Sequence, residues 1–225
     1  MAHPSEATLP PEPTLDEIRL FLSPLIADAA CFDGWGDAAV ASAAQQASIE
    51  PAVAQLAFPG GAMDLIAAWV ERTDADMILA FPPEVIGGLK IRERIRTLVQ
   101  FRLDAALGRE EALRRALAIQ AMPQNLFASL RQGWRSADLM WRLAGDTATD
   151  YNHYTKRTLL AGVYAATSIV LLDDQSEGLA DTRGFLDRRI EGVMRFEKVK
   201  AQFVARTSHR PSLSRFLGRL RYPAV

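Results

Sequence analysis

The sequence predicts an all-α protein of about nine helices followed by a C-terminal amphipathic helix. Three observations lead to this fold class. Apolar residues recur at three- and four-residue steps along most segments, helix-capping residues and Gly or Pro breaks separate those segments, and no long stretch alternates apolar and polar residues as a strand does. Hydrophobic residues make up 49% of the 225 residues, so the chain can bury a sizeable core.

The first two thirds of the chain divide into short and medium helices. Thr14 is followed three residues later by Glu17, the pattern of a capping box, which predicts a first helix over residues 15–30. A Gly-Trp-Gly stretch at residues 34–36 ends that helix. Further helices are expected over residues 37–47, 50–56, 60–72, 85–107, 110–120 and 124–143.

Two long helices complete the predicted body. Thr147 or Thr149 is expected to cap a helix that ends near Leu172, and Thr182 to cap one that ends near Ala205. An acidic, turn-rich loop lies between them.

The outer face of the 85–107 helix is predicted to be basic, because it carries Lys90, Arg92, Arg94, Arg96 and Arg102.

The sequence predicts four parts. These are a disordered tail (1–13), a helix-turn-helix-like subdomain (14–72), a larger helical domain (73–205) and a basic amphipathic tail helix (206–225). The N-terminal tail is acidic and Pro-rich and lacks the features of a signal or transit peptide. No apolar run approaches the roughly 20 residues of a membrane span. With Cys31 as its one cysteine, the chain is expected to be cytoplasmic and free of disulfides.

The segment from Ala38 to Val70 has the rhythm of a bacterial helix-turn-helix, with a turn at Ser48 between two short helices. Affinity for DNA comes largely from Lys and Arg, but residues 20–71 contain neither. The second short helix, EPAVAQL, offers Gln55 and little else for reading bases. The window carries the carboxylates Asp28, Asp33, Asp37, Glu50, Asp64 and Glu71. We therefore predict packing helices and no nucleic-acid partner.

Catalytic and metal-binding patterns are missing from the sequence. His3, His153 and His209 form no helical metal pair, and there is no Glu-x-x-His pattern. Walker A, G-x-S-x-G and G-x-G-x-x-G motifs are also missing. Catalysis needs converging acid, base or nucleophile groups. The sequence therefore predicts a non-catalytic protein without cofactor or metal.

A helix-turn-helix followed by about six longer helices resembles the TetR-type regulators. That resemblance implies a larger helical part that forms a homodimer and encloses a small apolar ligand. Ordinary core packing is the alternative for each residue of the expected lining. The residues expected to bind lipid are Leu98, Phe101, Phe127, Leu130, Trp134, Val163 and Tyr164.

Longer motifs resemble those of one particular protein family. MW-x-x-AGD, TDYN-x-YTKR, LLAGVYAAT and DTRGFLDRRI, with LAFPGGAMDLI nearer the N-terminus, resemble the lipid-binding accessory proteins of ubiquinone (coenzyme Q) biosynthesis over about residues 14–203. The resemblance implies a TetR-like fold without DNA binding. It also implies a homodimer that presents isoprenoid quinone precursors to a hydroxylase acting on demethoxyubiquinone. Eukaryotic members of that family are located in the mitochondrial matrix.

By the same resemblance, one group of residues matches a surface that contacts the hydroxylase. An aromatic cluster beside Asn and His has the composition of interface hot spots. The alternative is that Trp141 and Tyr154 are core residues at a helix junction. His153 stands where eukaryotic members carry Trp, which implies a weaker or differently tuned contact. The matching residues are Met140, Trp141, Asp150, Tyr151, Asn152, His153 and Tyr154.

The C-terminal segment predicts a basic amphipathic helix. Residues 206–225 contain five arginines and no acidic residue. Such a helix is typical of a reversible anchor at an anionic membrane surface, here the inner face of a bacterial membrane, although it could instead dock on its own domain. The residues expected at the membrane are Leu213, Arg215, Phe216, Leu217, Arg219 and Leu220. The alternative function is a TetR-type ligand-responsive repressor that uses the basic 85–107 helix.

Overall fold

The computed structural model describes residues 9–147 and 151–208, with side chains for residues 9–147 and 153–195. These ranges contain ten α-helices, one short 3₁₀ turn at Glu177–Leu179 and no strand, so the predicted all-α class is confirmed. The helices are α1 (Leu15–Asp33), α2 (Asp37–Gln46), α3 (Pro51–Leu56), α4 (Gly61–Ala80), α5 (Pro83–Ile86), α6 (Ile91–Asp104), α7 (Glu110–Gln120), α8 (Leu126–Leu143), α9 (Tyr151–Asp173) and α10 (Ala180–Ser208).

The N-terminal three helices have the predicted helix-turn-helix arrangement. The Thr14 hydroxyl accepts a hydrogen bond from the Glu17 amide (3.3 Å), and the Glu17 carboxylate accepts one from the Thr14 amide (2.8 Å), so the capping box that starts α1 is confirmed. Ser48 has a φ of 56° in the turn between α2 and α3. Helix α1 packs against α2, α3 and α4.

Three predicted boundaries are wrong. Helix α4 continues to Ala80, eight residues beyond the predicted end of that helix at residue 72. The predicted 85–107 helix is two helices, because the chain turns at Gly87–Gly88 and the Arg94 guanidinium donates to the Gly87 and Leu89 carbonyls in that turn. Helix α10 begins before Thr182, which is buried in its first turn.

Asp174 takes the capping role predicted for Thr182. Its carboxylate accepts hydrogen bonds from the Thr182 amide (2.8 Å) and hydroxyl (2.6 Å) and from the Ser176 amide (2.8 Å). Hydrogen bonds from the Ser176 and Thr182 side chains hold the pKa of Asp174 well below its usual range. For α9, Thr149 lies outside the described residues, and the helix begins at Tyr151, four residues after Thr147.

Helices α4 and α6–α9 surround the centre of the larger helical part, and α10 packs on α6 and α9. Trp35 joins this part to the N-terminal helices, because its indole N–H donates to the Ala112 carbonyl of α7 (2.9 Å) and its ring lies 5.5 Å from that of Trp69. Among the described helices, none combines the length and apolarity needed to cross a bilayer.

Candidate functional site: an apolar cavity and the α8–α9 junction

A cavity of about 730 Å³ lies between α4, α6, α7, α8 and α9. This volume is in the range of small-molecule sites, which are typically apolar clefts with a few placed polar groups. Leu130, Gly162 and Ile169 line the cavity and are also exposed, so these residues form part of its mouth. The large apolar lining residues are Ile66, Trp69, Val70, Leu113, Leu117, Leu130, Trp134 and Ile169.

Three of the seven residues predicted to bind lipid line this cavity: Leu130, Trp134 and Tyr164. Lipid binding by them stays a prediction.

The other four predicted residues lie elsewhere. Leu98 and Val163 are buried in the core without lining the cavity, which is the alternative that the sequence left open. Phe101 packs edge-on against Phe81, with 5.4 Å between ring centroids. Phe127 is 72% exposed, and the Arg131 guanidinium lies 4.9 Å from its ring centroid. Their assignment to the lining is wrong, because helical spacing places a residue on a buried face but does not say which neighbour that face meets.

Two helix-interior glycines lie on the cavity wall. Gly133 of α8 and Gly162 of α9 both line it, and a Cβ built on either would meet no atom within 4 Å apart from its chain neighbours and the backbone of its own helix. Glycine inside a helix costs about 1 kcal/mol relative to alanine. Since no neighbouring atom requires glycine there, these positions widen the cavity at a cost to helix stability.

One charged side chain lies in the cavity wall. Arg102 was predicted on a basic outer face, but it is only 2% exposed and forms an ion pair with Asp74, so that prediction is wrong. The Arg102 guanidinium carbon lies 5.0 Å from the Tyr164 ring centroid, and the Ser136 hydroxyl donates to Asp74 (3.4 Å). Burial raises the pKa of Asp74 more than its Arg102 and Ser136 contacts lower it.

A second buried charge network holds the junction of α8 and α9. Arg157, itself 2% exposed, pairs through Nε with Asp138 and through Nη1 with Asp146 (3.0 Å). Lys156 also pairs with Asp146 (2.8 Å). The Arg157 Nη1 further donates to the His153 carbonyl (3.1 Å), which ties the first described turn of α9 to the end of α8.

Two residues of the predicted partner surface are buried at the same junction. Met140 and Trp141 are buried, so they do not form an exposed contact patch in this structure. The Trp141 indole N–H donates to the Lys156 carbonyl (3.1 Å), and the Lys156 ammonium lies 5.2 Å from the indole centroid. The physical reason is periodicity, since Met140 and Trp141 share the buried side of α8 with Ala137 and Ala144.

Two of the predicted partner residues remain accessible. Tyr154 is 62% exposed, and His153 is partly exposed between the Tyr154 ring (5.1 Å) and the Trp134 ring (5.9 Å). Asp150 lies outside the described residues, as do the side chains of Tyr151 and Asn152. The predicted membrane residues 213–220 lie outside them as well.

The carboxylates of the α8–α9 junction should make the stability of the protein sensitive to acid. Burial raises the pKa of Asp138 and of Asp146, but hydrogen bonds from Arg157 to both, from Arg142 to Asp138 and from Lys156 to Asp146 outweigh it and lower both pKa values. A depressed folded-state pKa contributes stability that is present above the unfolded value, about 3.9 for Asp, and is lost as the pH falls through the folded value. We expect the free energy of unfolding to decrease as the pH is lowered beyond about pH 4. The measurement is urea unfolding at a series of pH values from 6 to 3.

The matched variant for this experiment is Asp146→Asn. Other carboxylates with lowered pKa values, including Asp174, contribute in the same direction and are common to both proteins. The variant should be less stable than the parent at pH 6 but should lose less of its stability on acidification. Parallel pH profiles for the two proteins would contradict the assignment.

The helix-turn-helix surface is as acidic as the sequence predicts. Gln55 is exposed on α3, and Arg19 and Arg72, which flank the window without Lys or Arg, are both paired with carboxylates. Arg19 pairs with Asp64 (2.7 Å) and Glu71 (3.3 Å), and Arg72 pairs with Asp76 (2.9 Å). Elsewhere in the described part of the chain, no group of three His, Cys, Asp or Glu residues is arranged to hold a metal ion.

The fold and the cavity define an all-helical protein with a TetR-like fold. The structure resembles the crystal structure of a TetR transcriptional regulator from Nitrosomonas europaea with a TM-score of 0.62 and 20% identity, covering 77% of this chain and 96% of that one. This likeness concerns the fold alone.

The sequence comparisons match the chain to ubiquinone biosynthesis proteins. The COQ9 family model matches residues 126–197, which include α8, α9 and the junction between them. The mitochondrial ubiquinone biosynthesis protein COQ9 of Rattus norvegicus is 34% identical over 168 residues, and that of Homo sapiens is 32% identical over the same length. These alignments cover 72% of this chain and 54% and 52% of the relatives. The chain is therefore similar to the COQ9 family model over residues 126–197 and to COQ9 proteins over most of its length, and it spans about half the length of the relatives it matches.

Proposed function

We propose that this chain is a non-catalytic accessory protein of ubiquinone biosynthesis that binds an isoprenoid quinone precursor in its cavity. The observation that carries the proposal is a largely apolar cavity of about 730 Å³ in a protein whose relatives are named for ubiquinone biosynthesis. An isoprenoid chain is apolar along its length and gains free energy from burial at roughly 25 cal/mol per Å².

The form of the cavity supports this ligand class. Its mouth includes exposed apolar side chains, Leu130 and Ile169, so a long chain can enter while part of it stays outside. Gly133 and Gly162 keep the wall free of side chains in the middle of α8 and α9. A catalytic site would need converging acid, base or nucleophile groups; among the described lining residues the hydroxyls of Ser, Thr and Tyr have no carboxylate or imidazole beside them in the lining, and the one charged group, Arg102, is already paired.

Presentation to a hydroxylase forms the second part of the proposal. Tyr154 and His153 would contribute to the contact, while Met140 and Trp141 would act from the core by holding the α8–α9 junction. The chain would work as a homodimer at the inner face of the membrane. In this arrangement the ligand leaves the cavity mouth close to the surface that carries the hydroxylase.

The test is native mass spectrometry with lipid extraction on protein purified from its own host. We expect a co-purifying isoprenoid quinone precursor, or a phospholipid in its place, at up to one molecule per chain. Protein that carries no lipid, and that also fails to take up isoprenoid quinone from added vesicles, would contradict the proposal.

A TetR-type ligand-responsive repressor is the second candidate, favoured by the fold and the helix-turn-helix arrangement. The charges oppose it, because the exposed α2–α3 region is acidic and the flanking Arg19 and Arg72 are paired. We expect no retardation of duplex DNA at an ionic strength of about 0.15 M. The positive control is a TetR-type regulator on its operator. Retardation that weakens as salt rises would favour the repressor.

A further inference from the structure

Most polar groups of the cavity lining already have partners within the protein. Arg102 is only 2% exposed, pairs with Asp74 and donates a hydrogen bond to the Tyr164 hydroxyl. The remaining hydroxyl groups of the lining donate to acceptors of the protein itself, so their protons are not available to a ligand. They belong to Thr73, Ser129, Ser136, Thr158 and Ser168.

Two amides of the lining keep unused donors. They belong to Gln120, the last residue of α7, and Gln132 of α8, and the Gln120 Nε2 donates to the Gln132 Oε1 (2.9 Å). Two amides carry four N–H groups, and this bond uses one, so three are left. The Gln132 Nε2 has no hydrogen-bond partner among the described residues and is only partly buried, so a ligand can reach it.

This amide pair lies at the cavity mouth. Ala121, which follows Gln120, and Leu130, two residues before Gln132, are both exposed and both line the cavity. The backbone beside the pair is fixed, because the Ser129 hydroxyl donates to the Gln120 carbonyl (3.0 Å) and thereby joins the end of α7 to α8. Donors that are held in place before a ligand arrives cost less entropy to use.

We propose that the Gln120–Gln132 pair is the head-group site of the cavity. It donates hydrogen bonds to a neutral carbonyl oxygen of a ring held at the mouth, while the apolar chain of the ligand fills the interior. A neutral oxygen suits the amides, because they carry no charge that would offset the dehydration of an anion. This inference rests on the proposed function, since it specifies which end of the bound quinone precursor stays at the surface.

The experiment compares an alkyl benzoquinone with the alkyl benzene of the same chain length. Their affinities are measured by displacement of a neutral, environment-sensitive dye from the full-length protein. A hydrogen bond between neutral groups is worth about 2- to 10-fold in affinity. In the double variant Gln120→Met, Gln132→Met, we therefore expect the ratio of quinone to alkyl benzene affinity to fall by about 5-fold, without loss of alkyl benzene affinity.

The matched control is Gln124→Met. Methionine has nearly the shape of glutamine but no amide, and Gln124 is an exposed residue of the same α7–α8 connection that lies outside the cavity lining. This change should leave the affinity ratio as it is in the parent protein.

The position of the ring is tested on the parent protein by reduction of the bound quinone with dithionite, an anion that the apolar interior excludes. For a ring at the mouth, the reduction rate should rise in proportion to the dithionite concentration. For a ring at the inner wall, the rate would level off at the rate of quinone dissociation, and this result would overturn the proposal.

The outcomes distinguish failure of the head-group site from failure of the proposed function. An affinity ratio that stays the same in the double variant, or that falls equally in Gln124→Met, would overturn the head-group site and leave the apolar cavity as the binding site. Failure of both probes to bind the parent protein would overturn both the inference and the proposed function.

Discussion

Replacing Arg157 by methionine is expected to lower the free energy of unfolding by about 3–5 kcal/mol, the usual cost of removing one partner from a buried ion pair. Asp138 and Asp146 lie on either side of Arg157, and all three side chains are almost fully buried. Methionine keeps an apolar stem of similar length but leaves both carboxylates short of a donor. The measurement is urea unfolding at pH 7, followed by far-UV circular dichroism.

The matched control is Arg195→Met. Arg195 pairs with Glu191 one turn away in α10 (2.8 Å), but both side chains are exposed, so this change should cost about 1 kcal/mol or less. The assignment fails if the two variants lose the same amount of stability. We also expect Arg157→Met to weaken any contact made through Tyr154, because Arg157 holds the His153 carbonyl at the beginning of α9.

The order of the helices was predictable because it depends on local signals. The Thr14–Glu17 capping box starts α1 where the sequence placed it, and the predicted bounds of α7 match the structure at both ends. Capping and apolar spacing act within a few residues, so they can be read along the chain. The prediction of a single helix over residues 85–107 was wrong. It gave more weight to the helix-forming residues on both sides than to the turn signal of Gly87–Gly88.

The site was less predictable because its partners are distant in sequence. Arg102 sits in a run of basic residues that is typical of a solvated face, and its partner Asp74 is 28 residues earlier on α4. Trp141 is of a residue type that is common at protein interfaces. Its indole nevertheless donates a hydrogen bond to the backbone carbonyl of a residue 15 positions later in the chain. Helix periodicity shows that a residue has a buried side, but only packing between helices shows what that side meets.

The same limit applies to the cavity. The sequence placed Leu130, Trp134 and Tyr164 near the ligand, since aromatic and aliphatic residues on α8 and α9 were already candidates. It gave no reason to include Trp69 of α4 or Leu113 of α7, whose spacing is that of ordinary core. The two wall glycines were a usable signal, because glycine in the middle of a helix lowers its stability and therefore needs a reason.

Those glycines lead to the second large effect, a loss of ligand binding without loss of stability. In the double variant Gly133→Leu, Gly162→Leu, neither Cβ meets an atom of a neighbouring element within 4 Å, and because both positions line the cavity we expect the leucines to reduce its volume. Leucine is the better helix former by about 0.5–1 kcal/mol per site, so the variant should be at least as stable as the parent. Affinity for an alkyl benzoquinone, measured by dye displacement, should fall by at least 10-fold because the leucines occupy the volume that the chain needs.

Gly192→Leu serves as the control, because Gly192 lies inside α10, outside the cavity lining, and is equally free of neighbours at Cβ. It should gain stability for the same reason and bind the quinone as the parent does. Quinone affinity that survives in the double variant would place the ligand outside the cavity. A double variant that is both unstable and unable to bind would instead show that α8 and α9 need glycine for packing. The combination of higher stability and lost binding is expected only if the glycines keep the space open for a ligand.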